Sequence, residues 1–262
     1  MSSIGTGYDL SAGTFSPDGR IFQVEYALKA VDSSGTMIGL RGRDGVVLAV
    51  EKFLSSTLYE RTSNPRLSSV DRHVGFAASG LYPDGKALAT YCTEESHDYY
   101  AQYRVPIPPH KLADRLAMYM HAYTLYSAVR PFGCSVLLAS YVDGSGGPHT
   151  GPRLHMIDPS GLCYGYRGCA AGKNKQAAKT EIEKLNLDQL ELRDLVKNAV
   201  KILLRVRDET KDKNVEIEVS WVGSATEGKH EMVPADVLKR ATEDAKREIR
   251  EEDGEEESEE ET

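Results

Sequence analysis

Hydrophobic and polar residues alternate along this chain with two different periods, and the changes of period outline its elements. Between residues 20 and 31 the apolar side chains recur every three or four positions, which predicts an amphipathic helix. These positions are Ile21, Val24, Leu28 and Val31. Ahead of them, Ser16-Pro17-Asp18-Gly19 offers a capping hydroxyl, a proline suited to the first helical position and an acid. We therefore expect a capped helix that becomes regular close to Arg20.

Two short apolar runs, at 36–41 and 46–51, flank Asp44-Gly45, which is a strong signal for a β-hairpin. Further strands are predicted at 73–79, 134–142, 154–157, 162–170 and 217–222. Helical spacing predicts helices over about 83–103, 112–123, 174–185 and 189–206, and from Pro234 onwards. Strands in two batches, helices in two pairs and no long linker predict one α+β domain. Two sheets packed face to face with helices outside would satisfy this order of elements, and the pattern by itself predicts a mixed α and β fold.

Composition agrees with a globular chain, since 40% of the 262 residues are hydrophobic and 27% are charged. Neither a membrane-spanning apolar run nor a secretory signal is visible, so no membrane partner is expected. The four cysteines are scattered without metal-ligand spacing, which favours buried free thiols in a reducing compartment and no metal or cofactor. No basic stripe with interleaved aromatic residues suggests nucleic acid as a partner.

The net charge of −8 comes from the C-terminal end of the chain. Residues 251–262 hold nine acidic residues and no basic one, and without them 31 acidic residues face 32 basic ones. This composition predicts a disordered acidic tail. Ser258 precedes three glutamates, a pattern that acidophilic kinases favour, so it is a candidate phosphorylation site. The alternative is an unmodified, solvated serine.

The segment 15–27 resembles the signature of the alpha-type subunits of the 20S proteasome, and Tyr8-Asp9 stands where that family carries its tail motif. Segments 70–75, 130–133 and 158–161 fall where the family has matching segments, and the likeness runs from residue 1 to about residue 250. Residues 1–8, 121–133, 179–185 and the acidic end narrow the resemblance to one type within the family. It implies the αββα sandwich of the N-terminal-nucleophile hydrolases over residues 36–250. Residues 1–35 would form a gate tail and ring-mouth helix, and 251–262 the acidic tail.

The same resemblance implies a non-catalytic structural and gating subunit of the outer ring. Its partners would be other alpha subunits in a heteroheptameric ring, beta-ring subunits, and regulatory-particle ATPases or other activators. The work would be ubiquitin-dependent protein degradation in the cytoplasm and nucleus. The family's gate positions match Tyr8, Asp9, Pro17 and Tyr26, for which the alternative is a set of local turn contacts. Leu10 departs from the arginine that many family tails carry there.

In that family a pocket between adjacent alpha subunits offers a lysine to the carboxylate of an activator tail. The matching position here is Arg66, with Gly80 and Leu81 as the pocket wall. Arginine keeps the charge but is bulkier and is not interchangeable with lysine. The alternative is that Arg66 is a simple surface cation.

Two other functions are weighed against this interpretation. One is a threonine hydrolase processed between Gly35 and Thr36, because a freed threonine can use its own amine as the base. Thirty-five residues precede Thr36, however, and alignment on the Asp44-Gly45 turn puts Gly35 at the nucleophile position. It also puts Glu51 where a beta-type threonine hydrolase is expected to have an aspartate, so we expect no catalysis. The other is an acidic scaffold protein whose tail recruits partners.

Overall fold

A computed structural model describes residues 7–260 apart from 55, 57, 143–149 and 208–214, and gives only the backbone of residues 61 and 253–260. Its helices, in chain order, are α1 Phe22–Asp32, α2 Tyr82–Tyr103, α3 Pro109–Ala122, α4 Lys175–Glu183, α5 Leu192–Val206 and α6 Ala235–Glu260. Its strands are β1 Met37–Arg41, β2 Gly45–Phe53, β3 Leu67–Asp71, β4 Val74–Gly80, β5 Cys134–Val142, β6 Gly151–Ile157, β7 Cys163–Gly165, β8 Gly168–Ala171, β9 Val215–Gly223 and β10 Glu231–Met232.

The strands form two five-stranded antiparallel sheets, ordered β10-β9-β2-β1-β8 and β3-β4-β5-β6-β7. Helices α4, α5 and α6 cover the first sheet, and α2 and α3 cover the second. Strand β2 is buried on both faces: Leu48 packs between the sheets, whereas Val47 packs under the helices. The predicted α+β sandwich of four layers, αββα, is confirmed.

Close approach of the sheets depends on Gly39 in β1, because a Cβ there would lie 2.9 Å from a methyl carbon of Leu154. The predicted hairpin at Asp44-Gly45 is present, with Gly39 paired to Leu48 across β1 and β2. The run predicted as one strand at 162–170 is instead two strands in different sheets, β7 and β8. Around Tyr166 the chain crosses from one sheet to the other, so a continuous apolar pattern hides a change of layer.

The start of α1 also differs from the prediction. Gly19 N donates to Ser16 O at 2.9 Å, which closes a β-turn with Pro17 in its second position, and Gly19 has φ +74°. The Ser16 hydroxyl accepts from Arg20 N at 3.1 Å and so caps this turn, while the helix begins only at Phe22. Helix α1 buries Phe22, Ala27 and Val31 against its own domain.

Helix α6 continues through Glu260, so helical backbone extends into the segment that the sequence predicts to be a disordered tail. Glutamate is a good helix former. Glu252 also forms an ion pair with Lys201 of α5, in which Oε1 lies 2.6 Å from the lysine Nζ. No helix in the described part of the chain is long and apolar enough to cross a membrane.

Candidate functional site

The tail segment and α1 bring together two of the four residues assigned to a gate. Tyr26 Oη donates to an Asp9 carboxylate oxygen at 3.4 Å, and Gln23 of the same helix donates to the Asp9 backbone carbonyl. Partial desolvation and the Asp9 carboxylate raise the pKa of Tyr26, so its hydroxyl remains a donor at neutral pH. Asp9 is therefore attached to α1 by both its side chain and its backbone.

Tyr8 and Pro17, the other two gate positions, point outward. Tyr8 and Tyr26 are each 40% exposed, and Pro17 is exposed at the turn. Within the described residues no hydrogen bond joins Tyr8 to Asp9 or Tyr26. Leu10 next to them is 86% exposed. Among the described residues, the surface around α1 therefore presents two partly exposed tyrosines, an exposed proline and an exposed leucine.

Arg66, the expected docking cation, is held inside its own subunit. Its Nη1 donates to Gly80 O at 2.8 Å, and its guanidinium carbon lies 5.6 Å from the centre of the Tyr82 ring. Its backbone N donates to a Glu218 carboxylate oxygen at 2.8 Å, and Glu218 also pairs with the buried Lys52. Burial lowers the pKa of Arg66, and the charge of Glu218 counteracts that effect. Arg66 is thus not a simple surface cation, because its guanidinium is engaged with Gly80 O and the Tyr82 ring, and its role in docking stays a prediction.

The wall itself is set by backbone geometry at Gly80. This residue has φ +126°, and a Cβ on it would lie 2.2 Å from Gly133 O. The next residue, Leu81, donates its N–H to the same carbonyl at 2.9 Å and leaves its side chain 45% exposed. Only glycine fits at position 80 without moving the wall.

A buried carboxylate fixes the other side of this wall, and the sequence prediction missed it. Asp84, in the first turn of α2, accepts Gly133 N at 2.8 Å and both Arg130 terminal nitrogens at 2.6 and 2.8 Å. Burial alone would raise the pKa of Asp84, but Arg130 and the Gly133 N–H outweigh it and lower the pKa. The sequence signal for this contact is the run Arg130-Pro131-Phe132-Gly133, which matches a segment of the family. The run by itself does not indicate which carboxylate Arg130 binds.

The position required for a threonine nucleophile is closed. A Cβ at Gly35 would lie 2.1 Å from Glu51 O, so no side chain fits there. Thr36 is fully buried, and its backbone N donates to a Glu51 carboxylate oxygen at 3.0 Å. Its hydroxyl has no hydrogen-bond partner among the described residues. The carbonyl of Gly35 accepts Ser79 Oγ at 2.8 Å, which ties the Gly35–Thr36 peptide into the sheets.

The remaining candidates carry little chemistry. Ser258 falls in α6, but its side chain lies outside the described residues. The four cysteines are free, and burial raises the pKa of Cys134 and Cys169 to about 12 and that of Cys163 to about 11, so these thiols stay protonated. In the described ranges no group of three or more His, Cys, Asp or Glu side chains could hold a metal ion.

Comparison with known families matches residues 31–222 to the proteasome subunit family, and residues 8–30 to the N-terminal signature of A-type proteasome subunits. The chain belongs to the proteasome subunit family. The match to the N-terminal signature covers Asp9, the turn and α1 as far as residue 30, and so includes the contact between Asp9 and Tyr26. Within the family, the chain is therefore an alpha-type subunit of the 20S core.

Curated relatives agree over nearly the whole length of this alpha-type subunit. The alpha type-3 proteasome subunit of Arabidopsis thaliana is 47% identical over 253 residues, which cover 97% of this chain and 99% of the relative. The alpha type-3 subunit of Acanthamoeba castellanii is 51% identical, with coverages of 96% and 97%. The probable alpha type-7 subunit of Schizosaccharomyces pombe is 47% identical, with 98% of each chain covered. The resemblance inferred from the sequence motifs, including its narrowing to type-3, is confirmed.

Proposed function

We propose that this alpha-type subunit is a non-catalytic wall and gate element of the outer ring of the 20S proteasome. It would control substrate entry and dock regulatory particles in ubiquitin-dependent protein degradation. Its neighbours would be other alpha subunits in a heteroheptameric ring and the beta ring beneath them. Cytoplasm and nucleus are the compartments that this function implies.

The closed geometry at Gly35 and Thr36 carries the non-catalytic part of the proposal. A threonine nucleophile needs a free amine and a reachable hydroxyl. Thr36 has instead an amide N–H bonded to Glu51 and a hydroxyl sealed in the core. Nothing in this arrangement favours the hydrolase alternative. An acidic scaffold is disfavoured as well, because the family match covers the sandwich and the N-terminal segment rather than the tail.

The gating part rests on the segment before α1. Asp9 is fastened to Tyr26, whereas Tyr8 and Pro17 stay exposed. Exposed tyrosine and proline at the end of a fastened segment suit contacts with the matching segment of a neighbouring subunit. The hydrogen bond from Tyr26 to Asp9 would then hold the base of the gate while the residues before it change position.

Native mass spectrometry of the assembled particle tests this assignment. The proposal expects a particle of four stacked rings in the order α, β, β, α. That particle should contain two copies of this subunit, one in each α ring, and each copy should still carry residues 1–35. A fragment with Thr36 as its N-terminus would instead support the hydrolase. A chain found only outside ring particles would support the scaffold.

A further inference from the structure

Two segments of this chain have nearly the same sequence but different structures. Pro17-Asp18-Gly19-Arg20 forms the turn before α1, and Pro83-Asp84-Gly85-Lys86 lies in the first turns of α2. In each, a glycine follows an aspartate, and because glycine has no Cβ its backbone nitrogen is little shielded. Such a nitrogen can attack the carboxyl carbon of the preceding aspartate and close a five-membered cyclic imide. The two segments therefore offer the same chemistry, and the fold is what distinguishes them.

The pair in α2 is locked. Asp84 is 8% exposed, and both of its carboxylate oxygens accept hydrogen bonds from Arg130. Gly85 N donates to Leu81 O at 3.1 Å, and a Cβ at Gly85 would lie 2.7 Å from that of Ala78. The carboxyl group and the nitrogen can therefore meet only if the start of α2 leaves the sheet.

The pair before α1 is open. Asp18 and Gly19 are exposed, and within the described residues the Asp18 carboxylate has no hydrogen-bond or ion-pair partner. A Cβ at Gly19 would meet no atom within 4 Å, so there is room for an imide ring. Gly19 N donates to Ser16 O at 2.9 Å and must leave this acceptor before it can react. An exposed turn opens locally at a much smaller cost than a helix packed on a sheet.

A third pair, Asp44-Gly45, lies in the hairpin between β1 and β2 and is closed like the pair in α2. Gly45 is buried, and a Cβ on it would lie 2.6 Å from both Val222 O and a methyl carbon of Leu192. The other two Asp-Gly pairs of the chain, at 143–144 and 253–254, fall outside the residues whose side chains are described. Among the three described pairs, the open one is Asp18-Gly19.

We infer that Asp18 is a site of spontaneous isoaspartate formation. The Gly19 nitrogen bonds to Asp18 Cγ and loses its proton, the carboxyl C–OH bond breaks, and one water leaves. Water then adds back to one carbonyl of the imide. Cleavage between nitrogen and Cγ restores aspartate, whereas cleavage between nitrogen and the backbone carbonyl carbon leaves the chain running through Cγ. The product has the composition of the original chain, and no other reactant is consumed.

Isoaspartate would change the turn that precedes α1. Three hydrogen bonds close this turn: Ser16 N to Arg20 O and Gly19 N to Ser16 O, both at 2.9 Å, and Arg20 N to Ser16 Oγ at 3.1 Å. One additional backbone carbon at Asp18 lengthens the closed loop, so the three bonds cannot keep their present geometry together. The carboxylate displaced from the backbone would also be a substrate for a methyltransferase that esterifies isoaspartyl carboxylates, which is the class of enzyme expected to act here.

The test incubates the full-length chain for several weeks in heavy-oxygen water at neutral pH and physiological temperature. Proteolytic peptides are then fragmented in a mass spectrometer to distinguish isoaspartate from aspartate. Isoaspartate carrying one heavy oxygen should be at least about tenfold more abundant at Asp18 than at Asp84 or Asp44. A purified isoaspartyl methyltransferase with a radiolabelled methyl donor should label the Asp18 peptide. Asp18→Glu would need a six-membered imide, so both signals should disappear from that peptide.

The same incubation in urea is the control for the fold. Once the chain is unfolded, the nearly identical segments around Asp18 and Asp84 should form isoaspartate to similar extents. No excess at Asp18 over Asp84 in the folded chain would overturn the inference. An excess that persists undiminished in urea would overturn it as well, because the fold would then not be its cause.

Discussion

His230 should make the stability of this subunit depend on pH in a window that can be calculated. The ring is 7% exposed; its Nδ1 lies 2.7 Å from Ser69 Oγ, while Nε2 is buried without a partner among the described residues. Strand β4 packs directly on it, since a Cβ at Gly75 would lie 2.2 Å from the ring Cδ2. Burial lowers the pKa of His230 from 6.5 to about 4. Between these values the unfolded chain binds a proton that the folded chain does not.

The free energy of unfolding must therefore rise with pH from about 4 to 6.5, and the stabilisation is fully present above that window. A shift of about 2.5 units corresponds to about 3 kcal/mol at most, lost as the pH falls toward 4. Urea unfolding of the chain and of His230→Asn, which keeps a polar group toward Ser69, measures the difference at each pH. Asp71, whose pKa is lowered to about 2, loses its contribution only at lower pH. Parallel curves for the two proteins across the window would refute the reasoning.

Two further substitutions test the contacts around Gly80 and Asp84. Arg130→Met should lower the free energy of unfolding by about 1–2 kcal/mol, a modest value because the arginine is 60% exposed. Urea unfolding measures this free energy, and Arg130→Lys should lower it less than Arg130→Met does. If Arg130→Met were as stable as the unchanged chain, the ion pair between Arg130 and Asp84 would contribute nothing to stability. Gly80→Ala should cost about 3 kcal/mol or more, from positive φ and from the contact with Gly133 O. Gly19→Ala, which has positive φ but open space around it, should cost only about 1 kcal/mol, so equal losses of thermal stability would disprove the close contact.

The elements with long, regular patterns could be predicted from the sequence because local spacing determines them. Helix α2 and strand β5 occupy almost the predicted residues. Strand β3 was not predicted, since its Ser68 and Ser69 break the apolar pattern while its position at a sheet edge tolerates them. The division between β7 and β8 depends on which sheet each strand joins, which the local pattern does not encode.

Arg66, Gly80 and Leu81, which the resemblance predicts to line a docking pocket, lie together in the structure, and their docking role stays a prediction. The pairing of Arg66 with Gly80 O and Tyr82 depends on residues 14 and 16 positions away, which only the fold brings together. The same holds for Asp84 and Arg130, which lie on α2 and ahead of β5. By contrast, the approach of Thr36 to Glu51 follows from the predicted hairpin, because its register continues the pair Met37–Val50 by one residue, and Glu51 N donates to Thr36 O at 2.8 Å.

Deletion of residues 2–9 tests most directly the claim that this subunit is a gate rather than a protease. Particles carrying the shortened subunit should assemble normally and hydrolyse a small fluorogenic peptide faster than unchanged particles without any activator. The tail would no longer cover the ring mouth, while the catalytic residues elsewhere are untouched. Unchanged basal hydrolysis by fully assembled particles would contradict the gating function. A loss of hydrolysis in such particles would contradict it as well.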